Sequence, residues 1–297
     1  MDNRNDIREF LASRRAKVTP QQAGLATYGR RRVPGLRREE VAMLAGVSTD
    51  YYARLERGNL TGVSDSVLDA LGRALRLDEA ERAHLYALAQ AANTRPRARR
   101  RLSAQQLRPS VQRVLDGMTE VPAIVLNGRL DIVGTSRLGR ALYAPVYATA
   151  ARHLSLARFN ILDPQAHAFY PDWDAAASAT AALLRTEAGR NPFDRDLTDL
   201  VGELSTRSDA FRSHWAVHDV LLHRTGVKHF HHPAVGDLSL SFEVMELTAE
   251  TGLTLTAYSA EPRTPSEDAL RLLASWAATQ DDVHPKSDLC GTDMPTS

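Results

Sequence analysis

The apolar positions of residues 33 to 59, VPGLRREEVAMLAGVSTDYYARLERGN, fall on two short helical faces separated by a turn. Leu36, Val41, Leu44 and Ala45 share one face at helical spacing. Gly46 is placed to stop that helix, because glycine accepts the left-handed backbone of a helix end. Val47 plugs the corner, and Ser48 is a natural N-cap for the helix that follows. In that second helix Tyr52 and Leu55 point inward, and Thr49, Asp50, Tyr51 and Arg54 point outward. Ala42, four residues before Gly46, is small enough to let two helices cross closely. This is the spacing of a helix-turn-helix, in which the second helix enters the DNA major groove.

The flanking pattern builds a domain around that motif. Residues 3–14 predict a helix with Ile7, Phe10 and Leu11 on one face. Ser64 is expected to cap a helix with Val67, Leu68, Leu71 and Leu75 inward. Asp78 and Glu81 form a capping box opening a fifth helix, with Ala83, Leu85 and Leu88 as its apolar side. From Pro109 the pattern changes. Val111, Val114, Leu115 and Met118 mark an amphipathic helix, and VPAIVLNGRLDIVGTS reads as two strands around Asn127-Gly128, a pair that favours the positive φ angles of a tight hairpin. Helices are predicted over 138–143, from Asp163-Pro164, and over 173–186 and 194–206. Residues 226–258 then alternate, with Leu238, Leu240, Phe242 and Val244 followed by Leu253, Leu255 and Ala257. Thr264-Pro265-Ser266-Glu267 is a capping box opening a last helix through Trp276. The predicted architecture has two domains. An all-α five-helix domain spans 1–91, and an Arg-rich linker spans 92–108. An α+β domain with an antiparallel sheet spans 109–280, and a polar, disordered tail spans 281–297.

Charge sharpens this division. The chain's net charge of +1 conceals residues 1–101 with 20 Lys+Arg against 12 Asp+Glu, and residues 102–297 with 17 against 24. One half is built to meet a polyanion and the other is not. Arg30, Arg31, Arg32, Arg37 and Arg38 gather at the entrance of the motif, where guanidinium groups neutralise phosphates. A single cysteine, Cys290, excludes an internal disulfide and fits a reducing cytoplasm. No run approaches ~18 apolar residues, so no membrane span is expected, and the charged N-terminus is no signal peptide.

The Gly46-Val47-Ser48 corner and the Leu55-Glu56-Arg57-Gly58 ending resemble the Cro/C1-type (XRE) helix-turn-helix regulators. FRSHWAVHDV (211–220), HHPAVGDLSLSFEVMEL (231–247) and AEP (260–262) resemble the MmyB-like ligand-binding domain, and the order hairpin, helices, strands is that of a PAS-like sensor. The resemblance implies a cytoplasmic transcription regulator with an apolar ligand pocket, for which a fatty-acyl ligand is the family precedent. The family usually carries an asparagine after the second strand, where this chain reads Gly134-Thr135-Ser136. Thr49, Asp50, Tyr51 and Arg54 are expected to read base edges, with arginine the natural guanine reader. Ser48, Arg37, Arg38, Arg31 and Arg32 are expected to hold phosphates. A homodimer on a pseudo-palindromic double-stranded operator follows from the few base pairs one module covers. Trp173, Phe211, Arg212, Trp215, His218 and Phe230 are the expected ligand-binding residues. Trp215 and His218 are read as sharing a helical face, with His218 or Arg212 orienting a carboxylate.

Two other classes stay in view. The second domain can be a module that only dimerises or recruits a partner. A hydrolase or metal enzyme is the remote reading, and no cofactor is implied. His214 and His218, four apart on an expected helix, invite a metal. Yet no His-Glu-x-x-His occurs, no cysteine is near, and His231 and His232 alternate across a strand. Gly134-Thr-Ser136-Arg-Leu-Gly139 meets neither the nucleophile-elbow nor the dinucleotide-loop pattern.

Overall fold

The computed structural model describes residues 3–26, 31, 33–93, 107–149 and 154–283. Arg32, most of the Arg-rich linker and the tail beyond residue 283 lie outside the described residues.

The N-terminal half is five helices, α1 (Asn3–Lys17), α2 (Arg38–Ala45), α3 (Thr49–Glu56), α4 (Asp65–Ala74) and α5 (Glu79–Asn93). They enclose one core, in which Ile7, Phe10, Leu11, Leu36, Val41, Tyr52, Leu55, Leu71, Leu85 and Leu88 are almost fully buried. Each apolar stripe points to that core, so burial, not intrinsic propensity, holds these short helices. The capping box at Asp78 and Glu81 closes in both directions, with backbone-to-carboxylate distances of 2.8 and 3.1 Å. Two expectations change. Ser64 precedes α4 but makes no capping bond, its hydroxyl pairing instead with Ser66 at 2.9 Å. On α5 Ala83 is exposed, and His84 beside it takes the buried place.

The second half opens with α6 (Pro109–Gly117), then β1 (Ala123–Asn127) and β2 (Ile132–Thr135). Helices α7 (Arg137–Leu142), α8 (Ala144–Thr149), α9 (Leu156–Leu162), α10 (Gln165–Phe169), α11 (Trp173–Arg190), α12 (Arg195–Arg207) and α13 (Asp209–Ala216) follow. The chain then returns as β3 (Thr225–His232), β4 (Gly236–Glu246) and β5 (Leu253–Ser259), closed by α14 (Pro265–Val283). The five strands form one antiparallel sheet in the order β2-β1-β5-β4-β3. Alternation decides its faces. Ile124, Leu238, Leu240, Phe242 and Tyr258 face the helices α7–α10 and α14, whereas Ala123, Val125, Leu253 and Leu255 pack under Leu115 of α6. A third cluster, around Leu184, Leu197, Leu200, Leu204 and Phe211, joins α9 and α11–α13.

The β1–β2 hairpin departs from the expected tight turn. The positive φ falls at Leu130 (61°), not at Asn127 or Gly128. The Asn127 side chain instead accepts from the N–H groups of Arg129 and Asp131 at 2.9 and 3.0 Å, and a register shift follows at Val125/Leu126. A longer turn closed by one left-handed residue and a bulge replaces the two-residue turn. His214 and His218 do not share a helical face either. α13 ends at Ala216, and His218 lies beyond it with a φ of 58°.

Candidate functional site

The α2–α3 corner forms as its residues dictate. Gly46 takes φ 67°, and Ser48 Oγ accepts from Tyr51 N at 3.2 Å, satisfying an N-terminal donor of α3. Thr49, Asp50 and Arg54 project from α3 into solvent. Tyr51 differs from its expected outward position: it is half-buried against the core, and the Arg54 guanidinium lies 5.1 Å from its ring centroid. That contact limits the directions Arg54 adopts.

The arginines at the entrance divide into two groups. Arg31 is engaged internally, with Nη1 2.6 Å from Glu40 Oε1 and Nη2 3.0 Å from the Gly35 carbonyl oxygen. The same hydrogen bond from Arg31 holds the Glu40 carboxyl down to about 2. Arg37 and Arg38 remain exposed. Arg38 also contacts Glu56, a carboxylate only 2% exposed that Arg15 meets from the other side at 2.7 Å. Glu56 is thereby the acidic post that fixes two arginines at the end of α3, a role its place in Leu-Glu-Arg-Gly does not disclose by itself. A buried carboxylate needs such partners.

The second domain is joined to the back of this head. Arg14 of α1, 3% exposed, donates to Glu81 Oε1 at 2.5 Å, to Asp219 Oδ1 at 3.1 Å and to the His218 carbonyl. Lys17 adds a second contact to Asp219 at 2.6 Å, and His218 Nε2 lies 3.2 Å from Glu9. Val220 enters the helical core of the first domain. On α11, Gly189 lets the helix backbone approach His84 so closely that a Cβ there would stand 2.4 Å from the His84 ring. Burial, with the charge of Arg185 adding to it, pulls His84 down to about 3 and His218 to about 4. Both imidazoles are therefore neutral at neutral pH. Sequence reasoning missed Arg14, His84 and Asp219. The signal was a histidine on the apolar side of α5, which spacing alone cannot connect to a partner a hundred residues away.

The six expected ligand-binding residues converge only in part: Trp173, Phe211 and Trp215 share the helical cluster, and the other three lie elsewhere. Phe230 lies fully buried among Tyr143, Phe169, Tyr170 and Tyr258, the aromatic centre of the sheet-facing core. Trp173 stacks on His167 at 4.0 Å and donates from Nε1 to the Asn160 carbonyl at 2.7 Å. Phe211 and Trp215 stack on each other, with Arg185 lying 3.9 Å from the Trp215 ring centroid, in the helical cluster. Arg212 is exposed and bound to Asp209 at 2.5 Å, and His218 belongs to the domain junction. The histidines scatter to separate partners: His214 to Asp174, His231 to Asp237 and His232 to the Ala141 carbonyl. Ser136, the residue that follows β2, is fully buried. Its Oγ caps α7 through Gly139 N at 3.0 Å and ties to Ala123 N and the Val121 carbonyl at 2.9 Å each. That hydroxyl is committed to the fold.

A five-helix head with an exposed, capped second helix, joined to an antiparallel-sheet domain of sensor-type order, defines a two-domain DNA-binding transcription regulator. The comparisons agree with this class. Residues 7–85 match a helix-turn-helix domain, and residues 107–273 match the MmyB-like transcription regulator ligand binding domain. The chain belongs to the MmyB-like family of regulators. Its partners are accordingly DNA and a small molecule, and both matched families are regulator domains, not catalytic ones. Comparison with curated proteins finds no match. Among the described residues, no helix is long and apolar enough to cross a membrane.

Proposed function

We propose that this chain is a cytoplasmic, homodimeric regulator that binds a pseudo-palindromic operator and responds to a small, mainly apolar molecule held in its second domain, a fatty-acyl compound being the leading candidate. The observation that carries the reading is the junction at Arg14, Asp219 and Val220. The segment after α13 is part of the head's own core, so a ligand that shifts α11–α13 also bears on α1 and α5. Thr49, Asp50, Arg54 and the rim of Tyr51 read base edges, and Ser48, Arg37 and Arg38 position the phosphates. Arg31 serves the phosphates indirectly, by fixing Glu40 and the entry to α2. A ligand acts only through unequal affinity for two arrangements of the heads.

The test is native mass spectrometry of the full chain, followed by extraction of whatever is bound. DNA binding is then measured with and without that molecule, on sites selected from random DNA. A dimer carrying an apolar molecule that changes DNA affinity is expected. A ligand-free dimer whose DNA binding ignores acyl compounds would reduce the second domain to a dimerisation module.

A further inference from the structure

The junction between the two domains encloses two imidazoles among charged groups. His84 of α5 is 4% exposed; the Phe10 ring of α1 meets it edge-on at 5.0 Å, and the α11 backbone at Gly189 presses on it. His218, 9% exposed, comes from the segment after α13 and lies with Nε2 3.2 Å from Glu9 of α1. The Nδ1 atoms of both rings are buried without a hydrogen-bond partner. The cations beside them are just as enclosed. Arg14 is spent on Glu81, Asp219 and the His218 carbonyl. Arg185 of α11 is buried and donates to the Trp215 carbonyl at 2.6 Å, with Asp6, Glu9, Arg14 and Asp219 as the charges around it. Arg190 adds its charge to His84 from α11, Lys17 pairs with Asp219, and Arg224 holds Glu79 at 2.7 Å.

A proton on either ring would put a new positive charge beside two buried guanidinium groups. Glu9 offsets part of that for His218. Among the described residues no carboxylate pairs with His84. Both rings meet water again only if the α11 backbone and the segment after α13 move off the head. We propose that the junction is an acid-released latch, closed while His84 and His218 are neutral and opened when they take up protons, so that in mild acid the DNA-binding head no longer answers to the second domain. The sign follows from linkage. Burial, then Arg185, holds His84 near 3 and His218 near 4 in the closed junction, against 6.5 in water. Closure is therefore favoured above 6.5 and loses about tenfold per histidine for each pH unit below it. Asp219 is not the sensor: against the pull of burial, hydrogen bonds from Lys17 and Arg14 keep its carboxyl below 3.8, and it stays charged throughout this range. From about pH 7.5 to about pH 5.5 the two histidines together weaken closure about a hundredfold. The proposal goes beyond the sensing function above and rests on the junction, not on what the second domain binds.

The experiment is urea unfolding of the full-length protein at a series of pH values from about 7.5 to about 4.5. Tryptophan fluorescence follows the second domain, and circular dichroism follows both. Wild type should give coincident transitions at the highest pH and separated ones by about pH 5.5. The double variant His84→Gln/His218→Gln, which cannot take up these protons, should stay coincident there. His218→Gln alone lies outside any helix and covers the case in which the double variant does not fold. With one titrating ring left, its transitions should separate about one pH unit lower than those of wild type. Coincident transitions in wild type throughout would overturn the latch and leave a junction that passes ligand signals at any pH. Separation in the double variant equal to that of wild type would overturn it as well, and so would an unmoved onset in His218→Gln. Separated transitions in wild type at the highest pH would overturn both the latch and the coupled junction of the proposed function.

Discussion

Replacing Arg14 by methionine tests whether the two domains act as one body. The substitution keeps an unbranched apolar stem in the 3%-exposed site and deletes the guanidinium. Three acceptors then lose their donor: Glu81 Oε1, Asp219 Oδ1 and the His218 carbonyl. Removing one partner of a buried pair costs ~3–5 kcal/mol. The low end applies here. Asp219 is 47% exposed and keeps Lys17, and Glu81 still accepts from Asp78 N. A loss of ~3 kcal/mol is a large part of the ~5–15 kcal/mol that holds a domain. It falls on the junction and not on either core. All three tryptophans, Trp173, Trp215 and Trp276, lie in the second domain, so their fluorescence follows that domain alone, while circular dichroism follows the helices of both. In urea, wild type should give coincident transitions by the two probes, and Arg14→Met should give two separated ones. Ligand should then cease to alter DNA affinity in the variant, while DNA binding itself persists. Coincident transitions with a loss below ~1 kcal/mol would refute the reasoning, since that is the range of an exposed pair.

Arg54→Ala should relax sequence choice on selected DNA at a cost of ~1–3 kcal/mol, and equal loss on operator and scrambled DNA would contradict a base-reading role. Arg37→Ala should weaken binding to all sequences and reduce the slope of log affinity against log salt by ~1; an unchanged slope removes Arg37 from the phosphate contacts. Gly189→Ala should lower the unfolding temperature despite alanine's better helix propensity, because its Cβ would press 2.4 Å from the buried His84 ring; a rise would mean that α11 moves away freely. His84 and His218 are held well below their ordinary value of 6.5, so the stability they contribute is present above that pH and is lost as the unfolded chain takes up protons below it. Each should approach roughly 1.4 kcal/mol of destabilisation per pH unit as the pH falls from about 6 to about 5, measured by urea unfolding, and His84→Gln should flatten the slope.

Local chemistry carried the first domain almost completely. The Gly46 stop, the Ser48 cap, the Asp78–Glu81 box and the inward Tyr52 and Leu55 need only neighbours three or four residues away, and each formed where its spacing required. The strands of the second domain were legible for the same reason, since alternation names the buried face before the partner is known. What the sequence could not determine depends on residues far apart in the chain. Ser64 shows that even a cap is lost when a nearer hydroxyl competes. His218 left its expected helix because α13 ends two residues earlier, and Arg14 then reached its carbonyl across two hundred positions. The expected ligand residues separated into a sheet core, a helical cluster and a junction, because helical spacing says which residues share a face and not which faces meet. Lys228 showed nothing unusual as one lysine in an alternating strand. Only the packing of α10 against β3 set the Tyr170 ring centroid 5.2 Å from its Nζ.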